Sequence, residues 1–174
     1  GALTSITLPD SLTSIGDGVF ESTPYYNEWW YDSAQCNVLY IGNHIIKADS
    51  QVLNDGISKG SISDQYAIKP GTKTIADAAF NGCSGLKSIT IPDNVVSIGN
   101  HAFESCSGLT DMTIPESVTN IGDYAFQTCI DLTNISVAEG NSAYCSENGI
   151  LYNKEKTEII RFPQKKLSTS FIIP

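Results

Sequence analysis

Cysteine and histidine are the side chains best suited to chemistry near neutral pH, and this chain of 174 residues has five cysteines and two histidines. Three of the cysteines recur at an interval of 23 residues, namely Cys83, Cys106 and Cys129. A reactive thiol needs exposure and a neighbour that stabilises the thiolate. The regular interval instead predicts three inward-pointing side chains that stack as small apolar groups.

The two histidines, His44 and His101, have no acid or nucleophile at a patterned distance from them. The segment 142–146 contains serine and cysteine, but no base accompanies it. The chain has no G-x-S-x-G, phosphate-loop or H-E-x-x-H motif, and no compact D-x-D-x-D-G loop for calcium. We therefore predict a protein that is not an enzyme and that binds no metal and no cofactor.

The formal net charge is −9, and the charges are unevenly placed. Between Lys87 and Lys154 there are eight acidic side chains and no lysine or arginine, and five basic side chains stand in the stretch 154–166. An acidic chain repels phosphate backbones and anionic membranes, so we expect no nucleic-acid partner. No apolar run approaches the roughly 20 residues of a membrane helix. The acidic stretch is either an ordinary solvated surface or a patch that attracts a basic partner.

A period of 23 residues organises most of the chain. Apolar residues of one type recur at each of four positions: Ile75, Ile98 and Ile121; Phe80, Phe103 and Phe126; Leu86, Leu109 and Leu132; and the cysteines. The stretch 3–20 follows the same register. A single unit of this length cannot close a core, whereas stacked units bury their shared apolar columns. The period therefore predicts a solenoid.

Each unit divides into a strand and a turn. Ser88 and Thr90 alternate with Ile89 and Ile91, as in a short strand, and a proline then ends the strand pairing. Ile-Gly-Asp/Asn predicts a turn whose polar residue caps the next segment, and Ala-Phe-x-x-Cys predicts a short helical or 3-10 piece. We therefore predict an α/β repeat solenoid with short parallel strands on one face and short helical or 3-10 turns on the other.

Two segments depart from the period, at 25–67 and 138–167, and they resemble each other. Val-Leu-Tyr at 38–40 is followed by Ile-Ile-Lys at 45–47, and Ile-Leu-Tyr at 150–152 is followed by Ile-Ile-Arg at 159–161. Each pair predicts two short strands about a turn, at Gly42-Asn43 in the first segment and near 154–157 in the second.

We interpret both segments as repeats that carry a β-hairpin. The chain is then a single solenoid, with regular repeats at 2–24 and 68–137 and the start of another at 168–174. It opens and closes inside a repeat, so we expect a fragment of a longer protein whose targeting segment lies elsewhere.

The unit Leu-x-x-Ile-x-Ile-Pro-x-x-Val-x-x-Ile-Gly-x-x-Ala-Phe-x-x-Cys resembles the BspA-like class of leucine-rich repeats. The second irregular segment is similar to a unit common in that family, through Gly-Ile-Leu-Tyr at 149–152 and Ile-Arg-Phe-Pro at 160–163. The chain departs from the pattern at Thr23, Ala76 and Ala138, which replace cysteine, glycine and proline. The resemblance implies a secreted or surface-anchored bacterial protein, and several members of the family are adhesins that bind host matrix proteins or other microbes.

The strand residues that point away from the core are the first candidate binding site. Two columns of short polar side chains line this surface. They are Ser5, Ser88, Asp111 and Asn134 in one column, and Thr7, Thr90, Thr113 and Ser136 in the other. Small side chains lose little rotamer entropy on binding, which suits a flat protein partner. The alternative is that serine and threonine are there only for strand propensity and solubility.

The aromatic run at 25–31 is the second candidate site. It comprises Tyr25, Tyr26, Trp29, Trp30 and Tyr31. Exposed aromatic side chains stack on sugars and anchor protein interfaces, whereas buried ones would form a small satellite core.

From these observations and the family resemblance, we predict that the chain is a non-catalytic protein-binding module of a bacterial cell-surface or secreted protein. Its role would be one such as adhesion to host or microbial proteins. A structural spacer that presents another domain is one alternative. A glycan-binding module that uses the aromatic run is the other.

Overall fold

The computed structural model describes residues 5–31, 38–48 and 64–166 of the chain. Within these ranges the chain forms one helix and twelve strands. They are α1 (Pro24–Tyr31), β1 (Val38–Ile41), β2 (His44–Ala48), β3 (Asp64–Ala67), β4 (Thr74–Ile75), β5 (Leu86–Thr90), β6 (Ser97–Ile98), β7 (Asp111–Ile114), β8 (Asn120–Ile121), β9 (Asn134–Val137), β10 (Tyr144–Glu147), β11 (Ile150–Asn153) and β12 (Ile159–Arg161). The predicted start of a repeat at 168–174 lies outside the described residues.

The strands stack in parallel from one repeat to the next, which confirms the predicted solenoid. One ladder runs β2-β4-β6-β8, and its constant register places Ile75, Ile98 and Ile121 side by side. A second set of strands comes from the Leu-x-x-Ile-x-Ile segments and the equivalent positions of the other repeats, and it forms two parallel pairs, β3-β5 and β7-β9. Two-residue strands such as β4 gain their stability from this stacking, because two residues cannot hold an extended conformation alone.

The segments 77–82, 100–105 and 123–128, here called the turn segments, differ from the prediction. The sequence predicts short helical or 3-10 pieces, but in the described chain these segments are successive turns and the helical structure is confined to α1. Each turn segment has left-handed backbone at the same two positions, as in His101 (φ 55°) and Ser105 (φ 60°), and left-handed residues interrupt a right-handed helix.

Hydrogen bonds between repeats stabilise this conformation. The amides of His101, Phe103 and Ser105 donate to the carbonyls of Asp123, Ala125 and Gln127 in the next repeat at 2.8–2.9 Å. A helix would direct the same amides back along its own axis. Contacts along the stack therefore outweigh the local helical preference.

Columns of apolar side chains fill the space between the ladders. Phe80, Phe103 and Phe126 lie in a stack with ring centroids 5.1 and 5.8 Å apart and interplanar angles of 13° and 3°. All three rings are buried, as are the leucines that share their register, Leu86, Leu109 and Leu132. This agrees with the inward-facing positions that the 23-residue period predicts.

Both irregular segments contain antiparallel hairpins where the sequence predicts them. β1 and β2 pair about the turn at Gly42-Asn43, and β11 and β12 pair about the turn after Asn153. An additional strand, β10, pairs with β11 about Asn148-Gly149, and both of these residues have left-handed backbone. The first irregular segment also contains α1, which the hairpin prediction does not include.

A local hydrogen bond caps the N-terminus of α1. Thr23 precedes it, and the Tyr26 amide donates to Thr23 Oγ1 at 3.2 Å, which is a typical N-cap contact. Pro24 takes the first helical position, where a missing N–H costs nothing. Thr23 stands where the repeat would have cysteine, so this departure from the pattern coincides with the start of the helix. Helices of the length and apolarity needed to cross a bilayer are not found in the described residues.

Candidate functional site

The strand face is defined here as the outward-pointing positions of β3, β5, β7 and β9. In the pair β7-β9, Asp111 lies opposite Asn134 and Thr113 lies opposite Ser136. In the pair β3-β5, Gln65 lies opposite Ser88 and Ala67 lies opposite Thr90. Four of the six residues predicted for this site therefore face each other across β7-β9, and the other two, Ser88 and Thr90, stand on β5.

Exposure varies across the strand face. Thr90, Asp111 and Thr113 are exposed, whereas Ser88, Asn134 and Ser136 are half-buried. The apolar residues between them, Ile89, Met112 and Ile135, are buried. Alternation of this kind holds the polar side chains on the solvent side of a packed sheet.

Hydrogen bonds along the stack orient several of these side chains. The Thr113 and Ser136 hydroxyls lie 2.9 Å apart, and the Ser136 hydroxyl also contacts the Met112 carbonyl at 3.3 Å. Thr133 Oγ1 donates to the Thr110 carbonyl at 3.1 Å. Such bonds hold small polar groups in fixed rows, so part of the surface is ordered before any partner arrives.

The strand face is less continuous than the sequence predicts. β5 and β7 belong to separate pairs, although the Thr110 amide reaches the Lys87 carbonyl at 3.1 Å. Ser5 and Thr7 are exposed, but their segment is not a strand. The described surface therefore consists of two strand pairs rather than one uninterrupted sheet that includes the first repeat.

A hairpin covers the C-terminal edge of the strand face. The Ile135 amide donates to the Gly149 carbonyl at 2.9 Å, and the Val137 amide contacts Ser146 Oγ at 3.2 Å. A Cβ added at Gly149 would lie 2.6 Å from Asn134 Oδ1, so the turn between β10 and β11 sits against β9. This contact explains why Asn134 is only half-exposed, and it closes an edge that other strands could pair with.

The aromatic run is only partly described. Tyr25 and Tyr26 are half-buried and pack against the core. The side chains of Trp29, Trp30 and Tyr31 lie outside the described part of the structure. Two of the five aromatic side chains thus contribute to packing, and the glycan interpretation depends on the other three.

The cysteine column lies in the interior, as its interval predicts. Cys83, Cys106 and Cys129 are buried, and the Cys106 and Cys129 thiols donate to the carbonyls of Phe80 and Phe103 at 3.1 Å. Burial, followed by repulsion from the neighbouring cysteines, raises the pKa of Cys106 above its ordinary range, and burial raises the pKa of Cys129 to about 11. Thiols in this state are poor nucleophiles, so the column is structural.

A row of side-chain hydrogen bonds at the start of each turn segment was not predicted. Asp77 accepts from the Asn100 amide at 2.8 Å and from Asn100 Nδ2 at 3.0 Å, and Asn100 Oδ1 accepts from the Asp123 amide at 2.8 Å. The sequence predicts that Asn100 and Asp123 cap their own turns. They instead bond to the next repeat, a partner that sequence spacing of 23 residues could have indicated.

The histidines also have structural partners. His44 is fully buried, and its ring nitrogens contact Thr74 Oγ1 at 2.8 Å and the Pro9 carbonyl at 3.2 Å. His101 contacts Glu104 Oε2 at 2.8 Å and stacks on Tyr124 with centroids 5.2 Å apart. Across the described residues, no three histidine, cysteine or acidic side chains are grouped as a metal site would require.

The basic side chains near the C-terminus neutralise part of the acidic stretch. Lys165 Nζ lies 2.8 Å from Asp131 Oδ1, and Lys156 Nζ contacts Glu147 Oε2 at 2.5 Å. Asp111, in contrast, forms no ion pair within the described ranges. Its Oδ1 has a long contact of 3.4 Å with Thr133 Oγ1, so the strand face presents a carboxylate whose charge has no cation beside it in the described chain.

Comparison with known proteins agrees with the geometry. The family model for the BspA-type leucine-rich-repeat region matches residues 2–52 and 58–170 in six copies. No curated protein matches the chain.

Two solved structures are similar over 64% of the chain. The pneumococcal vaccine antigen PcpA is 29% identical with a TM-score of 0.61, and a leucine-rich cell-surface protein from Faecalibacterium prausnitzii A2-165 is 33% identical with a TM-score of 0.58. The matched part is 28% and 29% of those two proteins, so the chain spans less than a third of either. With its repeat period, its stacked parallel strands and a family match over most of its length, this chain belongs to the BspA-type leucine-rich-repeat family.

Proposed function

We propose that this chain is a non-catalytic protein-binding module of a bacterial cell-surface or secreted protein, and that it contacts its partner through the strand face. The observation that carries the proposal is the register of polar side chains on paired strands, with Asp111 beside Asn134 and Thr113 beside Ser136. A role in adhesion to host or microbial proteins is supported by the surface location stated for the similar protein from Faecalibacterium prausnitzii.

The shape of the strand face favours a protein over a small molecule. Small-molecule sites are concave and enclose most of their ligand, whereas these positions carry serine, threonine, aspartate and asparagine on a sheet. Short side chains at strand spacing leave a shallow surface that an extended or flat protein segment can cover. Hydrogen bonds within the surface, such as Thr113 to Ser136, reduce the entropy lost on binding.

The negative charge of the chain indicates which kind of protein partner is favoured. The net charge of −9 favours a basic partner segment, as does the Asp111 carboxylate, which has no ion pair in the described chain. Complementary charge speeds encounter, and added salt weakens this effect. We therefore expect binding to be faster at low ionic strength.

The two alternative functions, a structural spacer and a glycan-binding module, depend on different parts of the molecule. A spacer would need the stacked repeats and no exposed contact surface. A glycan-binding module would use Trp29 and Trp30, whose types suit stacking on sugar rings. Half-buried Tyr25 and Tyr26 weaken the second alternative, because their rings already serve packing.

The test compares variants on an array of extracellular-matrix proteins and on a glycan array. Thr90→Glu/Thr113→Glu places charged bulk on the strand face, and we expect it to reduce binding to any protein that the parent captures by at least about tenfold, because the added bulk and charge oppose close approach. Trp29→Ala/Trp30→Ala is expected to leave that binding intact.

A matched control carries the same charge change elsewhere. Asn94 and Thr119 are exposed and lie outside the strands of the strand face, so Asn94→Glu/Thr119→Glu is expected to bind like the parent. Protein binding that survives Thr90→Glu/Thr113→Glu would exclude the strand face. Capture of glycans that depends on Trp29 and Trp30 would establish the glycan alternative, and an absence of binding on both arrays would favour the spacer.

A further inference from the structure

Each irregular segment leaves a cleft beside the turn of the repeat that precedes it, and the two clefts have equivalent linings. The first is lined by residues 16–21 together with Ile46 and Lys47. The second is lined by residues 121–127 together with Ile160 and Arg161. The pairs Asp17 and Asp123, Phe20 and Phe126, and Lys47 and Arg161 occupy the same positions of the repeat.

One side chain distinguishes the two clefts. Tyr26 of α1 is part of the first cleft, which has a volume of about 10 Å³. The second cleft has a volume of about 420 Å³, and the position equivalent to Tyr26 there is Leu132, which is buried in the core. A tyrosine from outside the repeat therefore lines the nearly closed cleft, and the open cleft has no equivalent side chain in its lining.

Two residues that line the open cleft, Tyr124 and Phe126, have backbone amides in a row that bonds between repeats elsewhere in the stack. In the preceding repeat, the amides of His101, Phe103 and Ser105 donate to carbonyls of the next turn segment. The equivalent amides of Tyr124, Phe126 and Thr128 have no acceptor in the part of the chain that the structure describes. The equivalent amides elsewhere in the solenoid donate to carbonyl oxygens. The carbonyl groups of an incoming peptide backbone are therefore suitable acceptors for the amides at the open cleft.

Arg161 contributes a further donor. Arg161 lines the cleft, and its guanidinium has no acceptor within the described residues. In the first cleft the equivalent Lys47 donates to the Ala78 carbonyl at 3.1 Å. A half-buried guanidinium without an acceptor has lost hydration without compensation, which favours a ligand that brings an oxygen to the accessible nitrogens of Arg161.

We infer that this second cleft binds a tyrosine side chain carried on an extended segment of a protein partner. The ring packs beside Phe126 and Ile160, as Tyr26 packs in the first cleft. The phenol oxygen accepts from the Arg161 guanidinium, and the carbonyls next to the tyrosine accept from the amides of Tyr124 and Phe126. The proposal concerns a different surface from the strand face and does not depend on it.

A simple anion fits this cleft less well than a tyrosine. The Asp123 carboxylate lines the same cleft and repels negative charge. Phe126, Ile160 and Ala125 provide apolar walls that an inorganic anion cannot use. Tyrosine combines an apolar ring with a neutral oxygen at its tip, which matches both parts of the lining.

The experiment titrates N-acetyl-L-tyrosinamide into the ¹⁵N-labelled chain and follows the amide resonances. We expect saturable shifts at Tyr124, Phe126 and Gln127, with a dissociation constant on the order of 1 mM for so small a ligand. N-acetyl-L-phenylalaninamide lacks the phenol oxygen and should bind at least about threefold more weakly. N-acetyl-L-alaninamide should give no saturable shift.

Matched variants at the two clefts locate the site. Gln127→Trp fills the open cleft and should abolish the shifts, whereas Glu21→Trp at the equivalent position of the first cleft should leave them unchanged. Arg161→Leu should remove the difference between the tyrosine and phenylalanine ligands, and Lys47→Leu should not. Tyr26→Ala should create a second site, with new shifts at Gly18, Phe20 and Glu21.

Three outcomes would overturn the inference. The first is an absence of saturable shifts at 124–127 in the parent, and the second is binding that persists in Gln127→Trp. The third is tighter binding of sodium sulfate than of the tyrosine ligand at the same amides, which would identify an anion site. The Thr90→Glu/Thr113→Glu variant should bind the tyrosine ligand normally, so failure of the strand-face proposal and failure of this one can be told apart.

Discussion

The aromatic column shows how single residues contribute to the stack. Phe103 is fully buried between Phe80 and Phe126, and each neighbouring ring lies nearly parallel to it. A side chain in this position contacts the repeat below and the repeat above. Its removal therefore affects two interfaces at once.

We expect Phe103→Ala to lower the free energy of unfolding by about 3–5 kcal/mol, because truncation of a buried aromatic leaves a cavity that the stack cannot close. Urea unfolding followed by circular dichroism measures the change. Tyr124→Ala is the control, since Tyr124 is 62% exposed, and its effect should stay below about 1 kcal/mol. Equal midpoints for Phe103→Ala and the parent would contradict the packing of this column.

The buried thiols make stability depend on pH. Burial raises the pKa of Cys129 from an ordinary 9.0 to about 11, so the unfolded chain loses this proton at lower pH than the folded chain. The stabilisation is complete below pH 9 and is lost as the pH rises towards 11. We expect the free energy of unfolding to fall over this window by on the order of 2 kcal/mol from Cys129.

The Cys129→Ala variant tests this assignment. It should show a shallower decline of stability between pH 9 and pH 11 than the parent, whatever its stability at pH 7. Unfolding is measured under reducing conditions so that only protonation varies. Identical slopes for variant and parent would show that ionisation of Cys129 does not couple to folding.

At the scale of an element, the close approach of successive repeats explains why glycine follows isoleucine at the Ile-Gly step. A Cβ added at Gly99 would lie 2.5 Å from the Asp77 amide nitrogen, whereas one added at Gly16 would meet nothing closer than Val19 Cγ2 at 3.6 Å. Neither residue has left-handed backbone. The difference is therefore one of space and depends on the backbone that stacks beneath each repeat.

We expect Gly99→Ala to destabilise the protein by about 1–3 kcal/mol, because the backbone beneath it cannot move aside without breaking the bonds of its own repeat. Gly16→Ala should change stability by less than about 0.5 kcal/mol. Thermal unfolding of the two variants provides the comparison. The natural Ala76 at the same repeat position agrees with this explanation, because β2 of an irregular segment precedes it in the stack.

At the scale of the whole molecule, the protein is a stack in which each repeat completes the hydrogen bonding of the one before. The amides of His101, Phe103 and Ser105 are paired with the next repeat, whereas those of Tyr124, Phe126 and Thr128 are not paired within the described chain. The last regular repeat therefore has the same backbone pattern, but the described residues supply no partner for these amides.

Hydrogen exchange should show this difference directly. We expect the amides of His101, Phe103 and Ser105 to exchange slowly and those of Tyr124, Phe126 and Thr128 to exchange at least about a hundredfold faster, because exchange from a bonded amide requires opening. Nuclear magnetic resonance after transfer into deuterated water gives both rates in one experiment. Similar protection in the two groups would mean that another part of the chain supplies the missing acceptors.

The sequence determines the repeat architecture of this protein because each column of the repeat contains one type of residue. Isoleucine, phenylalanine, cysteine and leucine recur at 23-residue intervals and can be buried together only by stacking. The sequence predicts the strands β5, β7 and β9, the buried columns and the two hairpins correctly. It does not predict β10 or the two-residue strands β4, β6 and β8, which lie at the Ile-Gly step. The six strand-face positions can also be located in this way, because alternation along a strand decides which side each residue faces.

Contacts between repeats decide the remaining features, and no local pattern contains them. The turn segments adopt left-handed positions instead of helices because their amides bind carbonyls of the next repeat, as in His101 to Asp123. Asp77 and Asn100 bond to the next repeat rather than to their own turn for the same reason. The volume of each cleft depends on which side chains from outside the repeat line it, as Tyr26 lines the first cleft. Only the tertiary structure brings such distant residues together.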